Sequence, residues 1–309
     1  MSDPPVDATL VITTRNRKEL LRGALASALQ QTARLEILVV DDGSEDGTSE
    51  LLRDEFPTVR LHRFEQSAGL IQRRNNAAQL ARAPIIISID DDAAFTSPTT
   101  VQQTLSEFDD ARIGAVAMPF VDVRRDAQVR QQAPGPGVFV AAAFVGTAHA
   151  LRRELFLQLD GYRARLVHQG EESDYCIRML QAGYVVRLGA ADPIHHFESP
   201  RRDFQRMDYY GRRNDILFAW HNVPTAALLP HLAATTWNGL RFALGCGRPW
   251  WMLRGTMAGY RQMLTAERAA RRPVSRATYR LLRELKTHGP LPLSQIEMRL
   301  PVARASRPC

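Results

Sequence analysis

Pro84-Ile85-Ile86-Ile87-Ser88-Ile89-Asp90-Asp91-Asp92 joins an apolar, β-branched run directly to three acids. Such a run reads as a strand buried on both faces, so the acids emerge at its carboxyl end, where open α/β sheets place ligands. The Asp90/Asp92 spacing can bring two carboxylates to one hard divalent cation. A solvated acidic loop that caps a helix fits the triplet equally well, and its neighbours in the sequence must decide between the two.

Working back to the N-terminus, residues 8–13 form a short apolar strand, followed by a helix over residues 18–31 with Leu21, Leu25, Ala28 and Leu29 on one face. A second strand over 35–40 ends in Asp41-Asp42-Gly43-Ser44. A short helix, capped by Asp46 or Thr48, closes near Phe56 ahead of Pro57. A strand over 59–62, a helix over 70–81 and the strand over 85–89 complete the alternation. This predicts an α/β fold with a mostly parallel sheet flanked by helices. Neither Gly-x-Gly-x-x-Gly nor Gly-x-x-x-x-Gly-Lys-Ser/Thr occurs, which removes the main support for dinucleotide and P-loop readings.

Forward of the triplet, residues 121–138 read as a polar loop ending in Ala133-Pro134-Gly135-Pro136-Gly137, placed to act as a lid or acceptor loop. A strand over 139–145, a helix over 151–159, a helix over 171–182 stopped by Gly183 and a strand over 184–188 follow. From Trp220-His221-Asn222-Val223-Pro224 the pattern turns helical and basic through Lys286, and residues 290–309 read as a frayed tail. The expected division is therefore a catalytic unit over 1–222, with halves at 8–120 and 121–222, and a basic helical region over 223–309.

Charge follows that division. The 309-residue chain carries a net +7, but residues 201–309 hold 19 Arg and Lys against 6 Asp and Glu, and residues 1–200 hold 21 against 27. A basic end on an acidic body fits an anionic partner, or simply a basic helical face packed on the body. Trp237, Leu240, Leu244, Trp250, Trp251 and Leu253, with Arg241, Arg248 and Arg254, fit either a membrane-surface helix or packing against the catalytic unit or a second copy. No recognisable nucleic-acid reader motif is present. No run of 18 uncharged apolar residues and no signal segment is seen, and Cys176, Cys246 and Cys309 make neither a disulfide framework nor a zinc site. A cytoplasmic protein is expected, with peripheral contact at the inner face of a membrane left open.

Three strand ends thus carry polar groups: Thr13-Thr14-Arg15-Asn16-Arg17, Asp41-Asp42-Gly43-Ser44 and Asp90-Asp91-Asp92. Together with Gly69 through Arg73-Arg74-Asn75, and with Gly170-Glu171-Glu172-Ser173-Asp174-Tyr175-Cys176-Ile177-Arg178, this ordered set resembles the nucleotide-sugar-dependent glycosyltransferases of family 2, which have the GT-A fold. The resemblance covers residues 8–220. Pro193-Ile194-His195-His196-Phe197-Glu198-Ser199-Pro200 and Tyr209-Tyr210-Gly211-Arg212-Arg213-Asn214 look most like the bacterial rhamnosyltransferase-type members.

The resemblance implies roles. Thr13, Arg15 and Asp42 would surround the pyrimidine base, with Asp41 sharing that task, and Arg74 would reach toward base or diphosphate. Asp90 would hold the ribose, Asp91 would stand with the donor-binding set, and Asp92 would bind the cation. Mg²⁺ or Mn²⁺ suits so oxygen-rich a site, and His196 could complete the metal shell. Glu172 would be the catalytic base, Glu171 the runner-up, and Asp174 a group orienting the site or its loop. Gly146-Thr147-Ala148-His149 would line the acceptor side, and Cys176 reads as core.

The implied reaction is inverting transfer of a sugar from a dTDP- or UDP-sugar to a glycan or lipid-linked acceptor. Two rivals accompany it. A nucleotidyltransferase would call for a Gly-rich phosphate loop after the first strand, and Thr13–Arg17 has no Gly. A non-catalytic polyanion- or membrane-binding module would not need its acids. Oligomeric state is open.

Overall fold

The computed structural model describes residues 6–197 and 203–303. Its strands are β1 (Ala8–Thr14), β2 (Leu35–Asp41), β3 (Arg60–Arg63), β4 (Ile85–Asp90), β5 (Ala93–Phe95), β6 (Ile113–Ala117), β7 (Phe120–Asp122), β8 (Val129–Arg130), β9 (Phe139–Ala141), β10 (Ala148–Arg152), β11 (Val185–Leu188), β12 (Ile194–His196) and β13 (Leu291–Pro292). Its α-helices are α1 (Lys18–Ala28), α2 (Thr48–Glu55), α3 (Leu70–Leu80), α4 (Thr100–Ser106), α5 (Arg153–Gln158), α6 (Glu171–Gln181), α7 (Phe204–Asn222), α8 (Thr225–Gly245), α9 (Pro249–Leu264), α10 (Arg276–His288) and α11 (Leu293–Ile296).

Among the described residues the main sheet has nine strands in the order β13-β9-β11-β6-β10-β4-β1-β2-β3. Only β10 and β9 run against the others, so the sheet is mostly parallel, with helices packed on it. The register aligns Thr13 with both Val40 and Asp90, and Thr14 with Asp41. The three polar strand ends therefore share one edge. Central strands β1 and β4 are buried along nearly their whole length, as expected of apolar runs covered on both faces.

A second, four-stranded sheet, β5-β12-β7-β8, crosses the carboxyl end of β4. It arises because the chain turns straight from Asp92 into β5, which pairs antiparallel with β12. Residues 121–138, read as loop, contribute parts of β7 and β8 to it. The helix expected over 151–159 starts only at Arg153, because Leu151 lies on β10 between β4 and β6. The short strands β5, β6, β7 and β10 escape local patterning since they pair with strands distant in sequence, and β8 is only two residues long.

The tail did not follow expectation. Leu291–Pro292 pairs with β9, and Leu293, Ile296 and Leu300 join the same core as Leu10, Ile12 and Ile87. Apolar residues at that spacing can anchor a Pro-rich segment once a sheet edge is available to receive it. Residues 304–309, with Cys309, lie outside the described residues. Ile296 is 0% exposed. Ile296→Ala is expected to destabilise the fold by about 2–5 kcal/mol, read from urea unfolding. A change below about 0.5 kcal/mol would mean the tail is not part of the cooperative unit.

Candidate active site

At the shared edge, Asp92 lies beneath Arg17 and His196. Arg17 Nη2 donates to Asp92 Oδ2 at 2.5 Å, and its Nη1 is 2.7 Å from Asp91 Oδ1. Strand register supplies the histidine: His196 pairs with Ala93, the residue after Asp92, and with Asp122 on its other side. His196 Nε2 is 3.4 Å from Asp92 Oδ1, while Nδ1 is hydrogen-bonded to the Asp122 carboxylate. Burial would lower the imidazole pKa, but its bonds to Asp92 and Asp122 outweigh that and push it up to about 9. The same contacts and Arg17 overcome burial at Asp92 and hold its carboxyl at about 2.

Asp90, Asp92 and His196 each offer one ligand atom, all within 4.8 Å of one another. Two carboxylates and an imidazole whose far nitrogen is held by a carboxylate are a donor set that fits a divalent cation. His196 would have to release its proton to serve, so affinity would climb with pH.

Asp90 accepts from Arg74 Nη2 at 2.9 Å and from Thr147 Oγ1 at 3.0 Å. Arg74 is nearly inaccessible, also donates to the Gly146 carbonyl at 2.8 Å, and directs Nη1 toward Glu172 (3.6 Å) and Glu171 (3.8 Å). It therefore lies under the cleft as a buried link between the acids of β4 and α6. Burial raises the pKa of both glutamates; Glu172, further opposed by Glu171 and eased by Arg74, is pushed up to about 8. Glu171 is 3% exposed, whereas the Glu172 side chain keeps 20% of its surface. Glu172 is thus the better placed of the two to meet an acceptor. A Cβ at Gly146 would stand 2.3 Å from Glu172 Oε1 and 2.6 Å from Arg74 Nη1, so the ends of both side chains would have to move.

Beside Asp90 opens a cleft of about 260 Å³ lined by Thr13, Thr14, Arg15, Arg17, Asp42, Leu70, Arg73, Asp90 and Asp91. Asp42 accepts from Ser67 Oγ, Ala68 N, Gly69 N and Arg73 Nε, at 2.6–3.0 Å, which lowers its pKa against burial and pins the loop before α3. Arg15 bonds Ser67 from the solvent side.

Asp41 and Asp174 turn inward, while Asp91 lines the cleft from a largely buried position. Asp41 is 0% exposed and closes its own turn through Ser44 N and Oγ, which shapes the loop. Asp91 receives Thr14 Oγ1 at 2.8 Å and pairs with Arg17, and burial pushes its pKa up to about 7. Asp174 is 1% exposed and binds Arg163, Arg178 and Asn222, holding α6 to α7 and the loop before α6, away from the cleft. His195 is exposed on the far side of β12, and Glu198-Ser199-Pro200 lie outside the described residues.

Sequence reasoning assigned no role to Arg17, Arg73 or Asp122. The first two stood inside quoted motifs, and an arginine next to clustered acids was the available signal. Asp122 had none, being one acid in a polar stretch.

The chain matches the glycosyl transferase family 2 profile over residues 9–165. Succinoglycan biosynthesis protein ExoU of Rhizobium meliloti (strain 1021) is 28% identical over 201 residues, 58% of each chain. Validoxylamine A glucosyltransferase of Streptomyces hygroscopicus subsp. jinggangensis (strain 5008) is 34% identical over 104 residues, 32% of this chain and 24% of that protein. The chain thus spans little more than half the length of the first of these relatives and less of the second.

Two solved structures share the fold. The mannosyltransferase PcManGT from Pyrobaculum calidifontis, in complex with GDP-Man and Mn²⁺, has a TM-score of 0.57 at 20% identity, covering 93% of this chain and 81% of its own. S. aureus TarS 1-349 in complex with UDP-GlcNAc has 0.61 at 14% identity, covering 92% and 88%. With the family profile spanning the sheet edge that carries the acids of β2 and β4, this chain belongs to glycosyl transferase family 2 and has the GT-A architecture.

Proposed function

We propose that the protein is a metal-dependent, inverting hexosyltransferase. It would move a sugar from a dTDP- or UDP-linked donor to a hydroxyl of a glycan or lipid-linked acceptor in bacterial surface glycan synthesis. The carrying observation is the pairing of the Asp90–Asp92–His196 cluster with the Glu171–Glu172 pair through one buried guanidinium, Arg74. The name of the ExoU relative supports the glycan assignment, and the GDP-Man, Mn²⁺ and UDP-GlcNAc complexes of the structural neighbours support donor and cation. For rhamnose in particular, the motif resemblance around His195-His196 and Tyr209–Asn214 is the support.

The nucleotide would occupy the cleft between Thr13 and Arg73, with Asp42 holding its floor and Asp90 at the ribose. Asp92, Asp90 and His196 would hold Mg²⁺ or Mn²⁺, which supplies Lewis-acid stabilisation of the diphosphate leaving group. Arg17, beside Asp92, adds positive charge at the same place. Glu172 takes the proton from the acceptor hydroxyl, whose oxygen forms the new bond to the anomeric carbon as the bond to the diphosphate breaks on the opposite face. Arg74 keeps Glu172 in position while the Gly146 notch leaves room for both side chains.

Thermal shift with nucleotide-sugars tests the donor site. One donor should stabilise the wild type only with Mn²⁺ or Mg²⁺, and Asp92→Asn should lose that gain. Stabilisation that is indifferent to cation and to Asp92 would overturn the metal assignment. Glu172→Gln should lower kcat by about 10³-fold or more with donor affinity kept, while Glu171→Gln loses less; the reverse order would move the base to Glu171. Since the ionised form is the base and its pKa is raised, kcat/KM of the wild type at saturating cation should fall about tenfold per pH unit below about 8 and level off above it. Gly146→Ala should cost about tenfold or more in kcat with little change in Tm, because only the Glu172 and Arg74 ends must move.

A further inference from the structure

Helices α8 and α9 are oriented by α7. Gly255 and Gly259 on α9 leave no room for a Cβ against Tyr209, Arg213 and Ile216 of α7, the nearest backbone atom standing 2.1 Å from where one would lie. Met252 and Met263 are buried on the same side. On α8, Leu228, Leu232, Gly239 and Ala243 face inward. These contacts fix which faces remain outside.

The outward faces are apolar. On α8, Leu229, Trp237, Leu240 and Leu244 recur at steps of three, four and eight and are 45–76% exposed. On α9, Trp250, Leu253, Met257 and Leu264 recur at steps of three, four and seven and are 51–65% exposed. Phe242 is exposed as well, and Phe204 at the start of α7 lies under the Arg248 guanidinium at 4.3 Å. Phe242, Leu244, Trp250 and Leu253, all exposed, flank the turn between the helices, so the tip of the hairpin carries exposed apolar side chains from both.

Its charge has one sign. Residues 223–264 contain Arg241, Arg248, Arg254 and Arg261 and no Asp or Glu. Arg248 is paired with Asp208 of α7, but Arg241, Arg254 and Arg261 are exposed, and Arg254 sits over the Trp250 and Trp251 rings at 6.0 and 4.8 Å. Tryptophans with arginines beside exposed aliphatic side chains match the boundary between anionic headgroups and acyl chains. A second copy of the same surface would bring arginine against arginine. Among the described residues, no helix is long and apolar enough to cross a membrane.

We propose that the α8–α9 hairpin docks the protein on an anionic lipid surface, its tip lying in the headgroup region. Such docking favours the lipid-linked form of the acceptor, and only that corollary rests on the glycosyl-transfer reading.

Flotation of the full chain with phosphatidylcholine vesicles, with or without phosphatidylglycerol, tests the proposal. Binding is expected only with phosphatidylglycerol, together with a blue shift of tryptophan emission. Arg241→Gln/Arg254→Gln/Arg261→Gln should weaken it about a hundredfold, and Trp237→Glu/Trp250→Glu/Leu253→Glu should abolish it. Both variants should keep wild-type Tm and cation-dependent donor stabilisation, which shows that they fold and separates docking from the active-site reading. Absence of binding to phosphatidylglycerol vesicles at low salt would overturn the proposal. So would binding retained by both variants, or a solution dimer broken by Trp237→Glu.

Discussion

One buried guanidinium faces three carboxylates at the centre of this molecule. Arg74 hydrogen-bonds Asp90 at 2.9 Å and leaves Glu172 and Glu171 only the weaker attraction of 3.6 and 3.8 Å. Largely removed from water, neither glutamate is fully compensated, and the pKa of both rises. The same imbalance that costs folding energy produces a carboxyl group with the proton affinity a general base needs. Arg74 also ties α3 to the Gly146 carbonyl, so the two halves of the cleft cannot separate without stranding a buried charge.

The second constraint is strand register. Asp92 and His196 are 104 positions apart, yet β5 and β12 pair so that His196 falls opposite Ala93, and β7 brings Asp122 opposite His196. A slip of one residue would turn the imidazole to the solvent face, where His195 now lies. The small sheet is thus the device that adds a nitrogen ligand candidate to the acids of β4.

How much of this could be read in advance differs by residue. The strand over 85–89 and the ends of the two other parallel strands were legible because buried parallel strands leave continuous apolar runs, and acids cannot continue them. Asp41 looked like Asp42 in the sequence, yet it folds onto Ser44, whereas Asp91 lines the cleft while held by Thr14 and Arg17, and Asp174 binds Arg163 of the loop before α6. Adjacent acids carry identical local signals; which of them faces the cleft depends on the twist at a strand end and on the cations waiting there. Asp122 had no signal, since its meaning comes only from pairing across the small sheet.

The sequence by itself determined the alternation of strand and helix, the clustering of acids at strand ends, the basic character of the C-terminal region and the absence of acid from 223 to 264. These follow from local periodicity and composition. Only the tertiary structure decided that residues 291–300 seal the core, that Arg74 lies beneath the cleft, that His196 meets Asp92, and that Trp237 and Trp250 point outward. Each of those outcomes depends on contacts between segments distant in the chain. A helix with apolar residues on several faces does not announce which face it will bury; here the glycines of α9, by permitting close approach to α7, made the choice.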